Sequence, residues 1–324
     1  MRVDLQLSFP VARYRFSWRV TRPLRLPDYA GSMLRGAFGH ALRQVACMTK
    51  QKTCEACPLL AACAFPALFA PPAPEAHPLQ KFAQIPVPYV IEPPDWGERT
   101  LHEGEPLHFH MILIGSALKE LPLIILAWRR ALARGVGAAD GTAELEAVTL
   151  CTPEGETVIF TPADGVVAQH ERQVPLLPPA AAAPTAHAVT LHFETPLRLQ
   201  QTGKALAPHR LDARTLLMAL VRRISLLSEF HASGPPIADF STLSERASAL
   251  TEKRELVWRD WVRYSSRQQQ TMALGGVLGT WRLEGDLAPF LPWLHLGQWL
   301  HVGKEAAFGL GQYRIEDTYE EATV

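Results

Sequence analysis

Four cysteines stand close together in the window CMTKQKTCEACPLLAACAF, at Cys47, Cys54, Cys57 and Cys63, with the spacing C-x6-C-x2-C-x5-C. Thiolates are metal ligands, and such a dense set in a reducing compartment points to a metal rather than to disulfides. Structural zinc loops more often carry two close pairs, and this window has one. Cys151 stands apart and reads as a small buried hydrophobe. Just upstream, Leu34, Phe38, Ala41 and Val45 recur at the spacing of a buried helical stripe. On that period Tyr29, Gly36, His40 and Arg43 share the opposite face, with Gly36 and Gly39 removing side chains beside them. Histidine can take or give a proton near neutral pH, arginine can stabilise developing phosphate charge, and a tyrosine hydroxyl can orient a sugar or phosphate.

A second constellation lies near the C-terminus, where GKEAAFGLG places Gly303, Gly309 and Gly311 around Lys304. Glycines let backbone N–H groups approach a phosphate, and the lysine adds charge. The segment is not a nucleotide P-loop, because it lacks the GKS/T ending and runs into a strand. Arg259, Arg263 and Arg267 can extend a basic track, with Trp258 and Trp261 interleaved or simply core. His108, His110, His295 and His301 lack comparable partners and read as structural or surface groups.

The elements that must position these residues are legible at a coarse level. Tyr14, Phe16, Trp18 and Val20 alternate with Arg13, Arg15, Ser17 and Arg19, the pattern of a half-buried strand. Pro27 and Asp28 signal a helix start. PLHFHMILIG reads as a strand, ELPLIILAWRRALARGVG as a helix ending at Gly135, and AELEAVTLC with ETVIF as a hairpin. The proline-rich stretches PPAPEAHP and IPVPYVIEPPDW are expected to wander over the surface, and VPLLPPAAAAPTA (Val174–Ala186) is the strongest linker candidate. Beyond it come the strand AVTLHFETPLRL, the helix from Asp212 to His231, the strand GGVLGTWRLEG, a short helix in DLAPFLPWLHLGQWL and the closing strand QYRIE. Each half thus suits an α+β, ferredoxin-like domain with an antiparallel sheet and helices on one side.

The 324 residues suffice for two domains, and 48% hydrophobic with 20% charged residues is a globular composition. No apolar run approaches a membrane span, since LPLIILAW is stopped by Arg129 and Arg130. The N-terminus alternates like a strand and does not read as a secretory signal. A cytoplasmic protein without a membrane partner is expected. Basic and acidic residues balance at 32 each, yet Arg13, Arg15, Arg19, Arg22, Arg25, Arg35 and Arg43 run with Asp28 as the single acid among them. Charge leaves two readings open: a phosphate-binding surface, or a strand face balanced by acids from elsewhere.

PDYAGSMLRGAFGHALR (Pro27–Arg43) resembles the first-helix signature of the RAMP proteins. ETPLRL (Glu194–Leu199) and RYSSRQQQTMALGGVLGTWRLEGDL (Arg263–Leu287) resemble the second domain of the CRISPR repeat-RNA processing endoribonucleases, and VGKEAAFGLGQY (Val302–Tyr313) their glycine-rich loop. The resemblance implies tandem ferredoxin-like, RAMP/RRM-like domains. One would span residues 1–175, with a Cys-rich metal-binding insertion at 47–63 and the proline-rich segment at 66–95. The other would span 188–324, with the glycine-rich loop at 303–311. It implies binding and cleavage of CRISPR repeat RNA without a catalytic metal, by 2′-hydroxyl attack to a 2′,3′-cyclic phosphate, and handing of the guide RNA to other CRISPR effector subunits. His40 matches the family's catalytic histidine and Tyr29 its supporting tyrosine; Arg35, Arg43, Arg263, Arg267, Gly303, Lys304, Gly309 and Gly311 are the implied RNA contacts. A non-catalytic guide-RNA-binding subunit of an effector complex is the alternative. The cysteine spacing is itself similar to the 4Fe–4S loop of endonuclease III-type DNA glycosylases, although no other part of the chain is, and on that likeness a 4Fe–4S cluster is expected ahead of structural zinc.

Overall fold

A computed structural model describes residues 10–74, 85–171, 187–232, 234, 238–265 and 270–316, with side chains left out over 262–273. The chain divides into two compact units: Phe9–Val174 with Phe230–Ser233, and Pro175–Glu229 with Gly234–Val324 and Met1–Ser8. The linker candidate Val174–Ala186 and the arginine Arg267 lie outside the described residues, as does the side chain of Arg263. Among the described residues no helix is long and apolar enough to cross a membrane.

In the first unit, β1 (Val11–Arg22) leads through β2 (Leu24–Leu26) to α1 (Gly31–Ala46). The short α2 (Ala64–Phe69) follows, then β3 (Tyr89–Glu92), β4 (Arg99–Leu101), β5 (Pro106–Ile114), α3 (Leu121–Arg134), β6 (Thr142–Thr152) and β7 (Gly155–Phe160). The sheet runs β3-β5-β1-β6-β7, antiparallel throughout, while β2 and β4 pair separately. Taking β1, β3, β5 and β6 as first to fourth gives the order second–third–first–fourth of a ferredoxin-like β-α-β-β-α-β unit.

The alternation of β1 has its physical reason in this sheet. Tyr14, Phe16, Trp18 and Val20 are buried, and Phe16 and Phe109 stack under Trp128 of α3. Phe38 of α1 closes the cluster, 5.1 Å from Trp128 and 5.5 Å from Tyr89 between ring centroids. Burying aromatic side chains of this size contributes roughly 1.5–3 kcal/mol each, which holds both helices to one face. α3 ends where Gly135 takes φ +114°, a conformation that strains an L side chain. The proline-rich stretch departs from expectation: Tyr89–Glu92 is a wholly buried strand paired with β5. Pro86 and Pro88 precede it, so their missing N–H groups leave its pairing intact.

The second unit repeats the order. β8 (Ala188–Leu197) is followed by the two-stranded ribbon β9 (Gln200–Gln201) and β10 (Lys204–Ala205), then α4 (Ala213–His231) and α5 (Phe240–Ser248). A long hairpin of β11 (Thr251–Ser265) and β12 (Gln270–Glu284) leads to α6 (Leu291–Leu300) and β13 (Tyr313–Glu316). Its sheet runs β11-β12-β8-β13, again second–third–first–fourth once the ribbon and α5 are set aside. Asp212 accepts the N–H of Thr215 at the start of α4, and Asp239 accepts those of Ser241 and Thr242 at the start of α5. These side chains satisfy donors that a helix N-terminus leaves open. Val189, Leu191 and Phe193 face inward, Phe193 against Trp281 and Tyr313.

Candidate active site and cysteine loop

The basic run from Arg13 to Arg43 is largely neutralised within its own unit. Arg13 pairs with Glu92 of β3 at 2.7 Å, Arg15 with Glu156 of β7 at 2.7 Å and Arg19 with Glu146 of β6 at 2.8 Å. Arg25 pairs with Glu98, and Arg22 donates to the Asp140 carbonyl. The strand face is therefore balanced by acids from elsewhere, the second of the two readings that charge left open. His110 lies on the same face, and burial with Arg13 close by pushes its pKa down to about 4, so it stays neutral there.

On α1, Leu34, Phe38 and Ala41 are buried as expected, Leu42 joins them, and Val45 is half-buried. Gly36 and His40 are exposed and Arg43 is half-buried, so these three keep the predicted face. Tyr29 does not. The helix begins at Gly31, and Tyr29 precedes it, 4% exposed, its ring 4.5 Å from that of Trp96. Burial, with the Glu92 charge adding to it, raises the Tyr29 hydroxyl well above its usual range. An aromatic ring beside Trp96 gains more from burial than from standing on an exposed face. Gly39 is corrected too: a Cβ there would lie 2.2 Å from the Phe69 ring, so this glycine admits α2 and does not open the His40 face.

The His40 ring meets a partner one turn on. Its Nε2 lies 3.0 Å from Nε2 of Gln44, and Oε1 of Gln44 accepts a hydrogen bond from Arg134 at the end of α3. Sequence reasoning missed both residues. The i, i+4 spacing on an exposed face could have found Gln44, whereas Arg134 is brought in by helix packing alone.

Arg35 and Arg43, expected at phosphate, brace the cysteine segment instead. The Arg35 guanidinium sits 4.4 Å over the Phe69 ring. It also stands beside Tyr89, whose hydroxyl is pushed up by burial while the Arg35 charge acts the other way. Arg43 donates to the carbonyls of Gln51 at 2.6 Å and Lys52 at 2.7 Å and lies 5.9 Å over Phe65. A planar fork with several donors suits this use.

The cysteine loop is strung between two helix ends. Cys47 is the C-cap residue of α1, Cys63 the N-cap residue of α2, and Cys54 and Cys57 lie in the turns between. All four are half-buried and line one small cavity with Thr49, Leu60 and Phe65. The Thr49 hydroxyl lies 3.4 Å from Sγ of Cys57 and 4.0 Å from Sγ of Cys47. Burial pushes the Cys54 thiol up, Arg43 opposes this, and the other three sulfurs raise it further. The backbone N–H of Lys50 leads the groups that lower Cys47. Tested against a metal, the donor types fit but the geometry is that of a shared cavity. Among the described residues no three His, Cys, Asp or Glu side chains are placed together as a ligand set. Cys151 is apart and buried, as expected.

In the second unit the glycine-rich loop is bolted to the Glu194–Leu199 segment. Lys304 N–H donates to the Arg198 carbonyl at 2.8 Å, Gly311 N–H to Pro196 at 3.1 Å, and the Thr195 hydroxyl to the Gly309 carbonyl at 2.7 Å. Gly303, Gly309 and Gly311 have φ of +94°, +100° and +71°. The N–H groups of Lys304, Gly309 and Gly311 are thus already engaged within the protein, and Gly309 and Gly311 are buried. These two glycines shape the turn, and the exposed Lys304 side chain is what the loop offers to a phosphate. Arg198, not singled out from the sequence, donates to the Gly275 carbonyl at 2.6 Å. Trp261 is buried, settling that tryptophan as core.

Comparison with known proteins matches residues 9–172 to the AF_1859 N-terminal domain and residues 191–313 to the CRISPR-associated endoribonuclease Cas6. An uncharacterized protein of Archaeoglobus fulgidus is 26% identical over 331 residues, covering 95% of this chain and 99% of its own. Two solved structures share the fold. A product complex of Thermus thermophilus Cas6 (TTHB231) has a TM-score of 0.58 and 17% identity, over 94% of this chain and 100% of that one. A partial Cas6-RT-Cas1–Cas2 complex has a TM-score of 0.55 and 13% identity, over 98% of this chain and 47% of that one.

Proposed function

We propose that this chain, whose residues 191–313 match the model of the CRISPR-associated endoribonuclease Cas6, binds CRISPR repeat RNA and cuts it with His40 as the proton acceptor. The 2′-hydroxyl beside the scissile phosphate gives its proton to the imidazole as its oxygen attacks phosphorus. The bond to the 5′-oxygen breaks, that oxygen takes a proton from water and leaves as a hydroxyl, and a 2′,3′-cyclic phosphate remains, while the imidazolium returns its proton to solvent. The observation that carries this reading is the placement of His40: exposed on α1, outside the core stripe, with a ring nitrogen held by a side chain and not by the backbone. Lys304 is assigned to an RNA phosphate, and Tyr29, buried before the helix, has no part in the step.

The test is incubation of the protein with its own repeat RNA in EDTA. One defined cut ending in a cyclic phosphate supports the reading, and His40→Ala should slow cutting by about 10²–10⁴-fold, the usual contribution of a positioned acid or base. Retained RNA binding without cutting by the unsubstituted protein would identify a guide-RNA-binding subunit instead.

For the cysteine loop we infer a structural 4Fe–4S cluster held by Cys47, Cys54, Cys57 and Cys63, with zinc as the alternative. The support is the spacing and the common cavity that the four side chains line. Such a centre would stabilise a segment too small to fold alone and takes no part in the cut. Anaerobically purified protein should carry iron and absorb broadly in the visible; zinc in a colourless protein selects the alternative, and neither metal at stoichiometric level refutes both.

A further inference from the structure

We infer that Gln44 and Arg134 form a positioning relay that fixes which nitrogen of His40 carries its proton. This rests on the reading of His40 as the proton acceptor and says how it is kept ready. The argument begins at Arg134, whose guanidinium has donors and no acceptor. Its bond to Gln44 is therefore made to the amide oxygen, as found, and this leaves the Gln44 amide nitrogen, a donor, pointing at His40. The 3.0 Å contact between Gln44 Nε2 and His40 Nε2 is then a hydrogen bond only if the imidazole nitrogen accepts. An accepting Nε2 carries no proton, so the neutral ring holds its hydrogen on Nδ1.

The chemical consequence follows. A general base for a 2′-hydroxyl needs a bare ring nitrogen, and the relay keeps Nε2 in that state. The Gln44 N–H occupies the position that an RNA hydroxyl would take as donor. When RNA displaces it, the lone pair is already in place and no proton must move between the two nitrogens first. Protonation of Nε2 would set two donors against each other, and Gln44 can turn its oxygen towards the ring only by abandoning Arg134.

The charged groups around His40 leave this logic intact. α1 packs against α3, α2 and β3. α3 contributes Arg129, Arg130 and Arg134, α2 carries no charged residue, and Glu92 of β3 pairs with Arg13. On α1 itself, Arg35 lies over Phe69 and Arg43 is bound to loop carbonyls.

The decisive measurement is the His40 tautomer, read from long-range nitrogen–proton correlations of histidine-labelled protein above the ring's titration. Unsubstituted protein should show the Nδ1–H form, and Gln44→Leu should shift it towards Nε2–H, while circular dichroism reports whether the fold is kept. In parallel, cutting of the repeat RNA should lose roughly ten-fold or more in kcat with KM little changed in Gln44→Leu, as expected when an orienting partner of a catalytic histidine is removed. Gln44→Glu offers an acceptor to Nε2, so the pH–rate inflection for the base should move to higher pH, which a purely structural role would not produce. Inactive His40→Ala combined with an Nε2–H ring in unsubstituted protein overturns the relay and leaves the proton-acceptor reading standing. Undiminished cutting by His40→Ala overturns that reading, and the positioning role falls with it.

Discussion

Replacing Gly311 by alanine tests how the glycine-rich loop is held. Its φ of +71° is a left-handed conformation that costs an L residue roughly 1–2 kcal/mol. A Cβ there would lie 1.8 Å from the Val302 carbonyl oxygen, a backbone atom that no rotamer change can move aside. Relieving the clash separates the two strands of the turn and loosens both the Val302 N–H bond to Gly311 and the Gly311 N–H bond to Pro196, each 3.1 Å. At about 1 kcal/mol per bond, Gly311→Ala should cost the second unit roughly 3–4 kcal/mol. Thermal unfolding followed by circular dichroism should move down by about 10 °C in the transition that reports this unit. RNA affinity should fall at temperatures where the variant remains folded, because Lys304 would lose its anchored backbone. A loss below about 1 kcal/mol would refute the reasoning, since a turn that takes a Cβ so cheaply is not bolted to Pro196 and Val302 as described.

Gly36→Ala should do the opposite. Apart from the helix's own neighbouring backbone, nothing lies within 4 Å of its Cβ position and the backbone is helical, so denaturation should show a gain of about 1 kcal/mol, and a simultaneous loss of RNA affinity would mark this face of α1 as the one that meets the ligand. His110 predicts an acid-labile window. Its folded pKa of about 4 lies below the ordinary value of 6.5, so the unfolded chain binds the extra proton first, and stability falls as pH drops from about 6.5 to about 4, with no further loss from this group below that. The expected contribution is on the order of 3 kcal/mol, seen as a shallower acid dependence of urea unfolding in His110→Gln; equal slopes would remove the assignment.

What the sequence made legible is what short-range pattern encodes. Tyr14, Phe16, Trp18 and Val20 could be read because one face of β1 must be buried and the period is two. Leu34, Phe38 and Ala41 could be read for the corresponding reason on a helix. Periodicity does not say where a helix begins, and α1 starts at Gly31 behind an Ala30 cap that offers no side-chain hydrogen bond, so the periodic pattern extends back to Tyr29. β3 was hidden by the prolines around it, and its burial is decided by pairing with β5. β11 was hidden by its charges, since Glu252, Lys253, Arg254 and Glu255 give no apolar alternation in an edge strand. The partners of the arginines were the hardest to see, because Glu92, Glu146 and Glu156 come from three other strands and Arg134 reaches Gln44 across 90 residues. The glycines around Lys304 are visible in the sequence, but which N–H groups remain open depends on Pro196 and Arg198, about a hundred positions upstream.

The masking of β1 by neighbouring carboxylates has a consequence for how this surface can change. Arg15 and Arg19 are each opposed by one partly exposed glutamate, Glu156 and Glu146, so a single amide replacement would unveil a guanidinium already oriented and supported by the sheet. The first unit therefore stores latent positive potential one substitution from the solvent, and a lineage needing a broader grip on a polyanion could acquire it without building a new basic residue.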